Sequence, residues 1–467
     1  MGEFIAGRLV QGAPMLHSSE EDMGKEVPKP MPVSGGSAPA LVARQPVFDQ
    51  NDRVWGYELL FRNPSMQPGL GGKSSSAATS TVMIDGFELM RPMLRPKQRF
   101  LINFTAELLE AELPAILPPD VCAIEILESV TPTANVIKGL KNLKRQGYML
   151  ALDDYTGQDH LKPFIPLVDI VKVDVLGQNA DSLTRIMETL VDFPGKLLAE
   201  KVEDNETVSL CRSFGFALFQ GFFYSKPEVV QGKKLSPSQI TKTRLLALSS
   251  NAEPDMNQVA QAITADVFLT FKLLKFINSL FFGLPTHVRS VDHAIKLMGM
   301  LRVKQWLCVT ALAEMDATPI SQEIVYLSAL RAKFLETLAD KHPGSRLQGK
   351  EFPSKLFMTG LFSMLESMLR VPLKEIFSSI ALDKDIMQVL CDRTGPLAAW
   401  YHLMTSYEQG HWDEVKFHAR RLGLNDASLA SAYLEAGKWS TSLFGASISR
   451  ERFDRTRTKT SQAELSA

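Results

Sequence analysis

From Leu41 to Phe223 the chain repeats one pattern: a short apolar run, then a more polar stretch with helical spacing. The runs are "LVARQPVF", "VWGYELLF", "RFLINFT", "VCAIEIL", "YMLALDD", "VDIVKVD", "KLLAEKV" and "FALFQGFF". Between them, "TANVIKGLKNLKRQG" and "DSLTRIMETLVDF" place apolar residues three and four apart, which predicts amphipathic helices. Seven or eight strands, most followed by a helix, within residues 40–232 predict a TIM-like (β/α) barrel and not an open sheet.

The pattern stops after "SPSQ" at 236. Residues 237–440 read as helix after helix, with Pro and Gly at the joints, which predicts a second, all-α domain. Residues 1–39 are rich in Pro, Gly, Ser and charge, and 441–467 are polar; both are expected to be tails without fixed structure. The 467 residues fit two or three domains at roughly 150 residues each. A net charge of -1 lacks the basic excess of a nucleic-acid binder. Cys122, Cys211, Cys308 and Cys391 are scattered without a C-x-x-C, and read as buried thiols in a reducing cytoplasm. The opening "MGEFIAGRLVQGAPM" lacks the basic and long apolar regions of a secretory signal. The most apolar long window carries Lys272 and Lys275, so it reads as a buried helix and not a membrane span.

Polar residues in the first domain fall at the ends of the runs. The second run gives Glu58, the third Asn103, the fourth Glu125, the fifth Asp153 and Asp154, the sixth Lys172, the seventh Glu200 and the eighth Gln220. In an α/β barrel these C-terminal edges share one face, where such folds place their active sites. Two like charges 4 Å apart cost about 4 kcal/mol at an effective dielectric of 20. Lys172 alone cannot neutralise five carboxylates, so hard divalent ions with oxygen ligands, Mg²⁺ or Mn²⁺, are the expected cofactors. Adjacent aspartates able to bridge two ions suit in-line displacement at phosphorus, which points to phosphodiester hydrolysis. No serine or cysteine stands beside a plausible histidine, His160 being the sole histidine of residues 40–232.

These motifs resemble the EAL-type cyclic di-GMP phosphodiesterase domain, over about 190 residues. "ELLFR" stands for E-A-L-L-R, "NFT" for N-x-S, "EILE" for E-x-T-E, "LDDYTG" for D-D-F-G-x-G, "AEKVE" for A-E-G-V-E, and "QGFFYSKP" for Q-G-Y-x-x-x-x-P. The resemblance implies Glu58, Asn103, Glu125, Asp153, Asp154 and Glu200 as ligands of a two-metal site, with Asp153 and Asp154 at its centre, and Glu128 as the anchor of the loop after the fifth strand. It implies Lys172, Glu200, Glu203 and Gln220 as catalytic residues, and Arg62, Gln220 and Pro227 as contacts to cyclic di-GMP. The chain departs from the pattern at Thr156, in place of the first loop glycine, at Leu127, in place of threonine, and at Lys201, in place of the glycine of A-E-G. The segment from Lys172 to Glu200 is short for the family, so a trimmed helix is expected there.

The second domain resembles the HDOD domain, a relative of the HD phosphohydrolases without their metal ligands. The carrying residues are Asp266, Leu274, Asn278, Ser279, Ala294, Ile295, Leu297 and Gly299. His287 and His293 read as ordinary surface or core histidines, and the Asn278-Ser279 pair as a helix end that caps the next turn. The implied role is contact with a protein partner, and a homodimer is compatible with the family. Two functions follow from the two resemblances. One is metal-dependent hydrolysis of cyclic di-GMP to the linear dinucleotide pGpG under control of the α-domain; the alternative is a receptor or scaffold that binds without turnover.

Overall fold

The computed structural model describes residues 41–62, 76–223 and, with short gaps, 259–445. The expected tail of residues 1–39 lies outside these, as does that of 441–467 apart from residues 441–445.

Eight strands close into a barrel in sequence order: β1 (Val42–Asp49), β2 (Val54–Phe61), β3 (Arg99–Phe104), β4 (Cys122–Ile126), β5 (Met149–Leu152), β6 (Ile170–Asp174), β7 (Lys196–Glu200) and β8 (Leu218–Gln220). All eight coincide with the apolar runs. The helices between them are α1 (Ser76–Met90), α2 (Ala106–Glu110), α3 (Ala134–Arg145), α4 (Ala180–Glu188) and α5 (Asn205–Ser213). In α3, Val136, Gly139, Leu140 and Leu143 are buried, the 3.6-residue stripe of a helix lying on a sheet. Thr133 caps α3, and Asn179 with Ser182 forms a reciprocal capping box on α4. The Lys172–Glu200 segment, where a trimmed helix is expected, holds α4, of nine residues.

Two connections lack an α-helix: β5 to β6 crosses by a 3-10 segment, Asp159–Leu167, and β1 to β2 has no helix of any kind. β1 pairs antiparallel with both β2 and β8, while β2 through β8 run parallel. The turn is short because Asp49 Oδ1 accepts from the backbone N–H groups of Asn51 and Arg53, at 2.8 and 3.0 Å. A hairpin has no crossover helix, so the outer face of β1 and β2 is left without one.

The helical half covers that face. Its described helices are α6 (Val267–Ile277), α7 (Val291–Met298), α8 (Met300–Ala313), α9 (Pro319–Lys341), α10 (Phe352–Phe362), α11 (Leu365–Leu369), α12 (Leu373–Ser378), α13 (Lys384–Asp392), α14 (Ala398–Gln409), α15 (Trp412–Arg421) and α16 (Asp426–Gly445). The last helix runs five residues past the expected boundary at 440. α9 is buried on nearly every side and forms the axis of this half. Arg44 of β1, 1% exposed, stacks its guanidinium 4.0 Å from the Tyr57 ring of β2 and 4.6 Å from the Tyr326 ring of α9. Tyr57 donates to Glu323 of α9 at 3.1 and 3.2 Å, and Tyr407 of α14 donates to the Val42 carbonyl at 3.3 Å. Burial first, then the Glu323 carboxylate, hold the Tyr57 phenol far above its ordinary pKa, so it stays a donor.

The motif positions of the helical half are structural where they are described. Asn278 follows α6; its amide donates to the Leu274 and Val288 carbonyls, both at 2.8 Å, and its oxygen accepts from Val288 at 2.7 Å. Gly299, at φ 76°, joins α7 to α8, and Ala294 and Ile295 are buried, whereas Leu297 is exposed. His287 and His293 are exposed, and Asp266 lies outside the described residues. Cys122, Cys211 and Cys308 are buried thiols, and Cys391 is half-buried.

Candidate active site

Strand side chains alternate between faces, so a residue two positions along points the same way. Val47, Leu101, Ala123, Ala151, Ile170, Leu198 and Leu218 form an apolar layer that packs apart from the outer core, as the interior of a barrel does. Two residues further toward the C-terminal edge stand Asn103, Glu125, Asp153, Lys172, Glu200 and Gln220. β1 runs the other way, and there the residue two positions before Val47, Gln45, reaches the same level. The period-two pattern thus sets a polar layer directly on an apolar one.

Lys172 is the hub. Its ammonium lies 3.2 Å from Glu58, 2.7 Å from Glu125, 2.7 Å from Asp153 and 2.8 Å from Glu200, and the side chain is 1% exposed. Burial alone would strip its proton, but the Glu125, Glu200, Glu58 and Asp153 carboxylates outweigh it and hold the pKa well above the ordinary value. Burial pushes Glu125 well up, helped by Glu58 and opposed by Lys172. Glu200 is pushed up to about 8, by burial first, with Lys172 pulling down and Asp153 and Glu58 pushing up. Two amides fix Glu58: Asn103 donates to it at 2.9 Å and Gln220 at 2.7 Å. Gln220 also donates to Gln45, at 3.1 Å.

The donor chemistry of this ring fits a hard divalent cation. Asn103 Oδ1, Glu125 Oε2, Glu200 Oε2 and Gln220 Oε1 are buried without a hydrogen-bond partner. Each such acceptor costs roughly 1–3 kcal/mol when left unsatisfied. Four around one ammonium, all oxygen, form a set that a hard ion satisfies. Among the described residues no three carboxylate, histidine or cysteine side chains already hold the spacing of a bound metal, since Lys172 gathers the acids around itself.

Seven expected site residues therefore meet: Glu58, Asn103, Glu125, Asp153, Lys172, Glu200 and Gln220. The others do not join them. Asp154 turns away, and Lys201 contacts it at 3.3 Å. Arg62 forms an ion pair with Asp426 of α16 at 2.7 Å, in a cleft of about 500 Å³ that Lys416 and Arg420 also line. Glu203 is exposed on the loop after β7. Glu128 is exposed too; its carbonyl lies 3.1 Å from His160 Nε2, while its carboxylate has no hydrogen-bond partner among the described residues. The loop after β5 is tied by Gln158 instead, whose side chain accepts from Thr156 N–H at 2.7 Å and donates to the Asp154 carbonyl at 2.9 Å. Gly157, at φ 97°, supplies the left-handed turn one residue later than the family pattern has it. Pro227 lies outside the described residues.

Gln45, Gln158 and Asp174 were not singled out by sequence. Gln158 and Asp174 sit in loops and strand ends that already held stronger candidates. Gln45 becomes visible only once β1 is known to run backwards.

Comparison with known proteins identifies the two halves of the chain. An EAL domain model matches residues 42–227 and an HDOD domain model residues 236–371. The uncharacterized protein YuxH of Bacillus subtilis is 32% identical over 414 residues, covering 87% of this chain and 99% of the relative. The cyclic di-GMP phosphodiesterase CdgJ of Vibrio cholerae is 28% identical over 402 residues, covering 85% of this chain and 92% of the relative. Among solved structures, the YKUI protein of Bacillus subtilis, with an EAL domain and in complex with c-di-GMP and calcium, overlaps 56% of this chain and 72% of that one, at a TM-score of 0.35 and 19% identity. With the two domain models in this order and a relative matched along nearly its whole length, the chain belongs to the proteins that join an EAL domain to an HDOD domain.

Proposed function

We propose that the barrel hydrolyses cyclic di-GMP to pGpG and that the helical half passes its state to a protein partner. The observation that carries this reading is the ring of Glu58, Glu125, Asp153 and Glu200 around Lys172, at the barrel edge where such folds do chemistry. CdgJ, matched across both halves, is named for this activity. Glu58, Asn103, Glu125, Asp153 and Glu200 would hold Mg²⁺ or Mn²⁺, a cofactor that activates water and offsets charge on the phosphodiester.

The protein's own groups do the rest. Lys172, held protonated, donates hydrogen bonds into the centre of the ring and orients the attacking water there. Asn103 and Gln220 fix Glu58 from two sides, and Gln45 fixes Gln220, so the acid is preorganised. Arg62 reaches a phosphate only by exchanging its bond to Asp426. The same reading gives the helical half a protein partner and admits a homodimer, for which a measurement of the mass in solution is the test.

A second reading, binding without turnover, is favoured by one observation: Lys201 draws Asp154 away from the ring. Incubating the purified protein with cyclic di-GMP and Mn²⁺ or Mg²⁺, and following pGpG by chromatography, separates the two. Product that needs both metal and Glu58, tested with Glu58→Ala, supports hydrolysis. A nucleotide that binds in titration but is never converted supports the receptor.

A further inference from the structure

Two non-glycine residues at the barrel mouth have left-handed backbone: Asp154 at φ 44° and Lys201 at φ 55°. Each directly follows a ring carboxylate, Asp153 in one case and Glu200 in the other. Left-handed backbone is unfavourable for any residue with a Cβ and persists at functional positions that the surroundings enforce. Here it sends both side chains out of the ring, where they meet. Lys201 Nζ lies 3.3 Å from Asp154 Oδ1 and 2.6 Å from Asp174 Oδ2. Asp174 ends β6, the strand between those that deliver the other two, so one ammonium ties three neighbouring strand ends. The mouth thus has two tiers: a buried ring of carboxylates on Lys172, and above it an aspartate pair on Lys201, whose side chain is half exposed. A glycine at 201 would adopt this backbone freely but bring no charge.

We infer that Lys201 is a built-in cation for the outer pair Asp154 and Asp174, so that the chain takes one divalent ion in the inner ring and a second only where the Lys201 ammonium is displaced. Lys201 is in this sense a positioning residue: it sets where Asp154 points and which charge Asp154 meets. The inference rests on the metal-dependent reading above, and concerns only how many ions the site accepts.

The test is calorimetric titration of the full chain with MnCl₂ in the absence of nucleotide, with bound Mn²⁺ counted by electron paramagnetic resonance. Wild type is expected to bind one ion per chain. Lys201→Gly, which suits the backbone, and Lys201→Gln, which removes only the charge, are each expected to bind two, or to tighten a weak second site at least tenfold. Asp174→Asn in the Lys201→Gly background should return the count to one. Two tight ions in wild type, or no change in either variant, would overturn the inference while leaving hydrolysis standing. No ion in any of the chains would overturn both.

Discussion

Asp153 and Asp154 are consecutive, yet each answers to a different lysine: Asp153 lies 2.7 Å from Lys172 and Asp154 lies 3.3 Å from Lys201. A strand end alone would throw consecutive side chains to opposite faces; the left-handed turn at Asp154 lets the second reach a cation above the ring. The division separates a buried charge cluster, where each group depends on the others, from a solvated pair that is adjustable.

The buried cluster makes Lys172→Met costly to the fold as well as to catalysis. Removing the one cation from among four acids, three of them buried, should destabilise the metal-free protein by about 3–5 kcal/mol. Urea unfolding measures this directly, and added Mn²⁺ should restore part of the loss. An unchanged midpoint in the metal-free variant would mean that the acids are not held by Lys172.

At the rim, Asp426→Ala should free Arg62. Because Asp426 is 40% exposed, the stability change should stay within about 1 kcal/mol. The apparent affinity for cyclic di-GMP should rise several-fold with kcat little changed, while Arg62→Ala should weaken it by roughly 10-fold or more. Equal affinities for wild type and Asp426→Ala would remove the competition between Asp426 and phosphate.

The contact between the halves is open to a double-mutant cycle. Tyr57→Phe leaves the Glu323 carboxylate, 1% exposed, without its phenol donor, at a cost of about 1–3 kcal/mol. Adding Glu323→Leu should cost less than the sum of the two single changes. Strict additivity would show that the two side chains do not act on each other.

Gly221 follows Gln220 at φ 144°, and a Cβ there would lie 2.2 Å from the Val202 carbonyl oxygen and 2.3 Å from its nitrogen. Both clashes are with backbone, so the loop cannot yield cheaply. Gly221→Ala should lower stability by about 2 kcal/mol or more and, by moving Gln220 off Glu58, reduce turnover further than the stability loss alone explains. A variant with wild-type melting and wild-type turnover would contradict the close approach.

The strands and the ring were legible because both depend on a local period of two. Leu101 to Asn103, Ala123 to Glu125 and Leu198 to Glu200 are each an apolar residue followed, two positions on, by a polar one. The partners of Arg62, Tyr57 and Lys201 were not legible. Arg62 meets a residue 364 positions away and Tyr57 one 266 away, and no local pattern encodes such a meeting. The Lys201 contact depends on a backbone angle that lysine rarely adopts, so its side-chain direction could not be read from its place after β7. The reversal of β1 was carried by the short "DQNDR" turn, whose aspartate bonds forward to its own loop, but a run of strands alike in composition gives no direction.

The hairpin that opens the barrel has a consequence for modularity. Elsewhere the strands carry helices of their own, but the outer face of β1 and β2 is closed by residues hundreds of positions downstream. Separated from those helices, the barrel would present an apolar seam with the Arg44 guanidinium stranded in it. Exchange of the helical half for an unrelated domain would remove part of the enzyme's own wall, so in this chain the element that would receive the signal is also a structural part of the element that sends it.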